Sequence, residues 1–235
     1  HGLHPGDDVA LEATGNAAGM VGLVVSAAHR RGIHLSANEV AQVLRAGADD
    51  IDFSTPNAVD RANRLRDDFG QRRFPSTKGW DATHGYGRIN AYEAVRMVAD
   101  GSIPPEADVV SPAWFEILAP RGSVPVVGRV AAQRSSSYSY RVEWTTGLQP
   151  PLHPGADDWR VVAERSGLTA PVEGDLAELD LSRIAAALPS GATGTPSGDR
   201  QRPEPDRFTV RLRVVVTDAE GRVGTMHRVF AVHHD

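Results

Sequence analysis

Residues 11–31 read Leu-Glu-Ala-Thr-Gly-Asn-Ala-Ala-Gly-Met-Val-Gly-Leu-Val-Val-Ser-Ala-Ala-His-Arg-Arg. Between positions 13 and 28 only Thr14, Asn16 and Ser26 carry a polar side chain. A helix through this stretch has no clean polar face, and such a helix is expected to be buried on nearly all sides. Its small residues, Ala13, Gly15, Ala17, Ala18, Gly19 and Gly22, cost helix propensity, with each internal Gly losing about 1 kcal/mol against Ala. Close approach by a neighbouring backbone is the expected compensation. The stretch is read as the central helix of a larger body, yet few residues follow it before the composition changes. The first part of that body is expected to lie outside this sequence, and a start on His1 rather than Met fits a fragment or a processed product.

Working outward, Gly32 follows Arg30 and Arg31, a stop signal with cations at the negative end of the helix dipole. Ser36 with Glu39 three residues on forms a capping box, and Leu35 with Val40 has the spacing of a hydrophobic staple. The helix they open, residues 37–48, puts Val40, Val43, Leu44 and Gly47 on one side and leaves Asn38, Gln42, Arg45 and Asp49 outward. Asp49, Asp50 and Asp52 lack the alternation and closing Glu of a calcium loop and are read as a solvated helix end. On the other side, residues 1–8 read as irregular because of Gly2, Pro5 and Gly6, with His1 and His4 as scattered terminal histidines rather than a metal pair.

Residues 53–78 mix Arg61, Arg64, Arg66, Arg72 and Arg73 with Asp60, Asp67 and Asp68, a self-neutralised insertion with a short helix at 58–69. Then comes His84-Gly85-Tyr86-Gly87-Arg88-Ile89-Asn90-Ala91. Two glycines around a Tyr argue for a tight turn whose backbone approaches something closely. Asn90 caps a following helix with Glu93 at its third position, and Ala94, Val95 and Val98 form its buried side. Gly101 ends it, and residues 102–108, with Pro104 and Pro105, read as a stiff linker.

Beyond the linker the period becomes alternating. Strands are expected at 114–118, 124–132, 138–144, 159–164, 208–217 and 225–232. Tyr138, Tyr140, Val142 and Trp144 oppose Ser139, Arg141 and Glu143, and Phe208, Val210, Leu212, Val214 and Val216 oppose Thr209, Arg211 and Arg213. Asp218-Ala219-Glu220-Gly221 reads as the hairpin joining the last two strands. Leu176, Leu179 and Leu181 suggest a further strand, 182–188 a short capped helix, and 189–205 a Gly, Pro and Ser-rich loop. An antiparallel sandwich of immunoglobulin-like shape is the reading, with a closed barrel as the alternative. The fold class is therefore α+β, divided as 1–101, linker 102–108, and an all-β module 109–235.

Bulk properties exclude several roles. A net charge of -5 and a pI near 6.0 give no global attraction to nucleic acid or anionic membranes. The absence of cysteine removes disulfides, thiolate nucleophiles and thiolate metal sites together. No apolar run has the roughly 20 residues of a membrane span. No cofactor or metal is expected.

The segments at 11–31, 35–49 and 85–91, taken in order, resemble the C-terminal part of the subtilisin-like serine peptidases, the subtilases. In that family the nucleophilic Ser begins a buried helix with the pattern Ser-x-Ala-x-Pro-x-Val-x-Gly-x-x-Ala-Leu-Leu. Ala13 falls at the first Ala, Gly15 at the Pro, Ala17 at the Val, Gly19 at the Gly, Gly22 at the second Ala, and Leu23 and Val24 at the two Leu positions. Residues 35–49 look like the family's next helix, and 85–91 like the Gly-x-Gly-x-hydrophobic-Asn segment before its last helix. The resemblance covers residues 11–99 and implies the end of an α/β catalytic domain.

It also puts Leu11 at the nucleophile position, with Val9 and Ala10 at the preceding Gly-Thr. Leu has no group that attacks a carbonyl, and the family's Asp, His and oxyanion Asn all lie upstream of this helix. His29, His34 and His84 fall on the wrong side of the motif to be the base and are read as surface or cap residues. A pseudoprotease, a scrambled reading before Glu12, and a shifted register each account for Leu11. The resemblance implies the C-terminal portion of a secreted or cell-surface serine endopeptidase whose partners are its missing N-terminal part and a peptide or protein substrate. This chain alone is expected to be inactive. The competing reading is a non-catalytic binding or structural protein. Ser135 to Ser137 and the four Trp raise carbohydrate stacking as a role, but three of the Trp fall in expected strands, and core packing is preferred.

Overall fold

The computed structural model describes residues 5–52, 77–148, 158–188 and 208–232, with the side chains of the first helix described from Thr14 onward. The expected helix at 58–69, the arginine-rich insertion, the loop at 189–205 and the terminal pair His1 and His4 lie outside the described residues. The chain is α+β, with helices before a β-rich part that carries a short helix of its own.

Helix α1 runs Pro5–Arg30, so the turn expected to be irregular at 5–8 is helical. Its burial differs from expectation. Among its described side chains only Val24 and Ala28 are fully buried, packing with Val40, Val43, Ala94, Val98 and Ile103 in a small core. Val21, Leu23 and Val25 are 37%, 54% and 46% exposed, and a Cβ added at Gly15, Gly19 or Gly22 would meet nothing. The physical reason is that the helices Ala37–Ala46 and Ala91–Ala99 cover one side of α1 and no described element covers the rest.

Helix α2, Ala37–Ala46, carries the expected capping box: Ser36 Oγ accepts from the Glu39 amide, and the Glu39 carboxylate accepts from the Ser36 amide. Helix α3, Ala91–Ala99, is capped by Asn90, which accepts from the Glu93 amide. The Glu93 carboxylate bonds Arg96 instead of reaching back to the cap.

Eight strands follow among the described residues. β1 (Glu106–Ser111), β3 (Ser123–Ala131) and β6 (Val172–Asp180) make one antiparallel sheet in the order β1-β3-β6. β2 (Ile117–Leu118), β8 (Val223–Val232), β7 (Thr209–Asp218), β4 (Tyr138–Thr146) and β5 (Arg160–Leu168) make the other in that order, with β2 parallel to β8. A short helix α4, Leu181–Ala187, is capped by Asp180.

Alternation decides the larger core. Tyr138, Tyr140, Val142 and Trp144 from β4 and Val210, Leu212, Val214 and Val216 from β7 are all buried, meeting Val126, Leu176 and Leu179 from the other sheet. The hairpin at 218–221 turns on Gly221 at φ +80. Two expectations change. β1 begins inside the stretch read as linker, and the strand expected at 114–118 reduces to β2 because Trp114 and Phe115 lie in an irregular, exposed approach.

Candidate functional site

The helical part meets the β part along a seam of buried polar groups. Gln42 and Arg45, expected to face outward, face this seam, and Gln42 is 1% exposed. Its Nε2 donates to the carbonyls of Ala107 (2.8 Å) and Thr225 (3.1 Å), and its Oε1 accepts from the Thr225 amide at 3.0 Å. The side-chain amide thus pairs with β8 as a strand backbone would. Beside it, buried Glu106 binds Ser36 Oγ, Arg129 Nε and Gln133 Nε2, and Glu39 pairs with Arg134.

The Gly-Tyr-Gly turn supplies the next layer. Asp49 and Arg88 exchange backbone hydrogen bonds at 2.8 Å, and Asp49 also accepts from the Arg88 and Asn90 side chains. Gly87, at φ +107, lies so close that a Cβ would fall 2.2 Å from the Asp49 carbonyl. This is the close approach the two glycines predicted. Asp81 holds the other end of the turn by accepting from the Thr83 and His84 amides at 2.8 and 2.7 Å. Of the acids read as a solvated helix end, Asp50 is exposed, accepting from the Gly79 amide at 2.8 Å, whereas Asp52 is buried.

So held, the turn inserts Tyr86 against β8. Its hydroxyl accepts from the His227 amide at 3.0 Å, donates to the Thr225 carbonyl at 3.4 Å, and lies 3.2 Å from His227 Nδ1. Burial pushes the Tyr86 hydroxyl pKa above its usual range. His227 stacks on Trp80 with centroids 5.0 Å apart and planes at 7°, and meets Trp159 edge-on at 6.3 Å. Burial, followed by the nearby Arg213, Arg211 and Arg45, lowers its pKa to about 3. It is neutral at physiological pH and too weak a base for general-base work there.

Arg213 lies over the Trp159 ring at 3.9 Å while its Nε pairs with Glu143 at 2.6 Å. Arg211, on the same face of β7, donates to the Gly147 carbonyl and is 1% exposed. The face of β4 and β7 opposite the core is thus covered at Glu143, Thr145, Thr209 and Arg211, although alternation alone marks it as outward, while Arg141 on the same face stays exposed. Lys78, Trp80 and Tyr86 from the turn, Trp159, and Arg211, Arg213 and His227 from the sheet line a cleft of about 340 Å³. It joins guanidinium and ammonium groups, Arg213 being paired with Glu143 and Arg211 bonded to the Gly147 carbonyl, to flat aromatic walls.

The residues singled out from sequence are dispersed. Leu11 lies within α1. His29 and His34 are exposed with rings 6.5 Å apart, and His84 sits 3.6 Å from Asp81. The Ser135 hydroxyl is spent on the Ser137 carbonyl and the Ala219 amide. Of the four Trp only Trp144 is in the core. Trp80 stacks between His227 and Trp114, and Trp114 is 43% exposed beside Phe115.

No family model matches this sequence, and no curated protein matches it. Among solved structures, it is similar to a chain from the study titled "Structural insight into host cell surface retention of a 1.5-MDa bacterial ice-binding adhesin". Identity is 17% over 51% of this chain and 28% of that one, with a TM-score of 0.23. The chain spans under a third of that structure's length, and a likeness at this level fixes neither fold nor function. No helix among the described residues is long and apolar enough to cross a membrane.

Proposed function

We propose that this chain is the C-terminal portion of a subtilisin-like serine endopeptidase. Residues 11–99 are the end of its catalytic domain, and residues 109–235 are an accessory module built as an immunoglobulin-like sandwich. The reading is supported by the order of three segments, at 11–24, 35–49 and 85–91, whose intervals fit the family apart from the insertion at 53–78; the first keeps the pattern at Ala13, Gly19 and Leu23 and departs from it at Leu11, Gly15, Ala17, Gly22 and Val24. The observation that carries it is the outer face of α1. A helix that faces water normally shows polar residues there, whereas Val21, Leu23 and Val25 stand exposed beside glycines with open space around them. An upstream part of the same domain supplies the missing cover, and the parent is secreted or displayed at the cell surface.

The chain holds no complete triad, with Leu11 at the nucleophile position, so it is inert by itself. Leu11 also favours the second reading, a non-catalytic secreted binding or structural protein. A fluorophosphonate probe applied to the full-length parent separates the two. Covalent labelling of a serine in the parent, with no labelling of the 235-residue chain, supports the peptidase; an unlabelled, folded parent whose upstream sequence lacks Asp-Thr/Ser-Gly and His-Gly-Thr segments overturns it.

A further inference from the structure

We propose that the cleft between the Gly-Tyr-Gly turn and the outer face of β7, together with the row of rings that leads out of it to Phe115, binds an uncharged oligosaccharide. The inference is independent of the peptidase reading, because it rests on the rings and on the pairing of the charges around them.

The rings come first. Of the four Trp only Trp144 lies in the core, and Trp80, Tyr86, Trp159 and His227 line the cleft as half-buried side chains. From Trp159 the row runs to His227 (centroids 6.3 Å apart), Trp80 (5.0 Å), Trp114 (6.4 Å) and Phe115 (5.9 Å), where Trp114 is 43% and Phe115 64% exposed. A row of that length, open at its outer end, is longer than one small molecule needs. It matches a chain of flat units with apolar C–H faces.

The outer end is fixed in place. Phe115 has φ 57, a conformation that a bulky side chain rarely takes. Backbone bonds to β8 hold it there: the Phe115 amide donates to the Val229 carbonyl at 2.7 Å, and the Ala231 amide donates to the Glu116 carbonyl at 2.8 Å. Arg228 lies over the Trp114 ring at 5.1 Å. Strain retained to hold an apolar ring in water is what a ligand-binding role accounts for, and a ring already in place loses little freedom on binding.

Charge then decides the class of ligand. Arg213 is paired with Glu143, Arg211 is buried and bonded to the Gly147 carbonyl, and Lys78 stands in the field of Asp50. These charges are answered from within the protein, so the cleft selects neither an anion nor a cation. Its lining is nonetheless polar as well as aromatic, and an all-apolar ligand would strip water from the polar groups without replacing its bonds. Hydroxyl groups avoid that loss, because each donates and accepts and can add to an oxygen that already holds one bond. Neutral sugars carry hydroxyls around their rims and C–H groups on their faces, the combination that half-exposed Trp rings flanked by polar side chains meet.

Tryptophan emission of the 235-residue chain, titrated with cellohexaose, maltohexaose, chitohexaose and mannohexaose, tests the site, with the matching monosaccharides and hexagalacturonate as comparisons. At least one neutral hexaose is expected to give a saturable change, with its monosaccharide weaker by about tenfold or more because it reaches only part of the row. Its affinity should hold within about twofold when salt rises from about 0.05 to 0.5 M, since no ion pair is formed. Phe115→Gly removes the ring and supplies the residue that suits φ 57, so it should keep or raise the unfolding midpoint while weakening the hexaose several-fold. Trp114→Ala is expected to weaken the hexaose further, and Phe115→Gly keeps the test open if that variant fails to fold. No saturable change with any of the neutral hexaoses, equal binding of hexaose and monosaccharide, tighter binding of hexagalacturonate, or unchanged affinity in Phe115→Gly overturns the proposal.

Discussion

His227 is one of nine histidines, and nothing in its sequence neighbours marks it out. Its importance comes from what surrounds it: Trp80 on its face, Tyr86 against its Nδ1, and Arg213, Arg211 and Arg45 near enough to disfavour its protonation. With a folded pKa near 3 and an ordinary value of 6.5 when unfolded, the unfolded chain takes up a proton that the folded chain refuses. Stability from this residue is complete above about pH 6.5 and falls as the pH drops toward 3, by about 1.4 kcal/mol per unit. Urea unfolding at pH 7.5 and 4.5 should therefore show His227→Gln losing about 2 to 3 kcal/mol less than the native sequence over that interval. Equal losses would mean that His227 is not buried neutral. At Gly87 the prediction is steric. Alanine must adopt φ +107 with its Cβ 2.2 Å from the Asp49 carbonyl, so Gly87→Ala should destabilise by about 2 kcal/mol or more in the same measurement.

At the scale of elements, what could be read in advance was what depends on neighbours in sequence. The Ser36 and Glu39 capping box and the alternation of β4 and β7 are short-range patterns, and each element formed where its pattern ran. β1 was hidden because Glu106 and Asp108 give it the look of a polar linker; Glu106 is buried only because Arg129, Gln133 and Ser36 reach it from distant parts of the chain. Gln42 was misplaced for the same reason. A polar residue on an amphipathic helix reads as solvated until a strand end presents an N–H and a C=O to it. The cleft was legible only in fragments, since its cations and rings come from the 78–86 turn, Trp159, β7 and β8, and no local spacing links them. Gln42→Leu tests the seam. It orphans the Thr225 amide and should lower stability by about 2 to 4 kcal/mol, whereas an outward Gln42 would make the change close to neutral. Ser36→Ala removes a cap and a hydrogen bond to Glu106, and thermal denaturation should register about 1 to 2 kcal/mol.

Across the whole molecule, these bonds make the stretch at 102–108 a joint rather than a hinge. A Cβ added at Gly224 would fall 1.9 Å from the Pro105 carbonyl, and Arg222 donates to the Gly101 carbonyl and to that of Arg134. The helical part, with its small core, therefore leans on the larger β core. Far-ultraviolet signal from α1 to α3 and tryptophan emission should report one unfolding midpoint; two separated midpoints would show that the parts fold independently. What the seam leaves uncovered is the far side of α1, and the central claim is that an upstream part of a subtilisin-like domain covers it. Because this sequence contains no cysteine, Leu23→Cys introduces its single thiol, at a position 54% exposed. The rate at which a thiol reagent labels Cys-substituted position 23, followed by mass spectrometry in the 235-residue chain and in the full-length parent, tests the claim directly. Fast labelling in the chain and labelling slowed at least about a hundredfold in the parent is the predicted result, the scale of a site that must open locally to react; equal, fast labelling in both would contradict it.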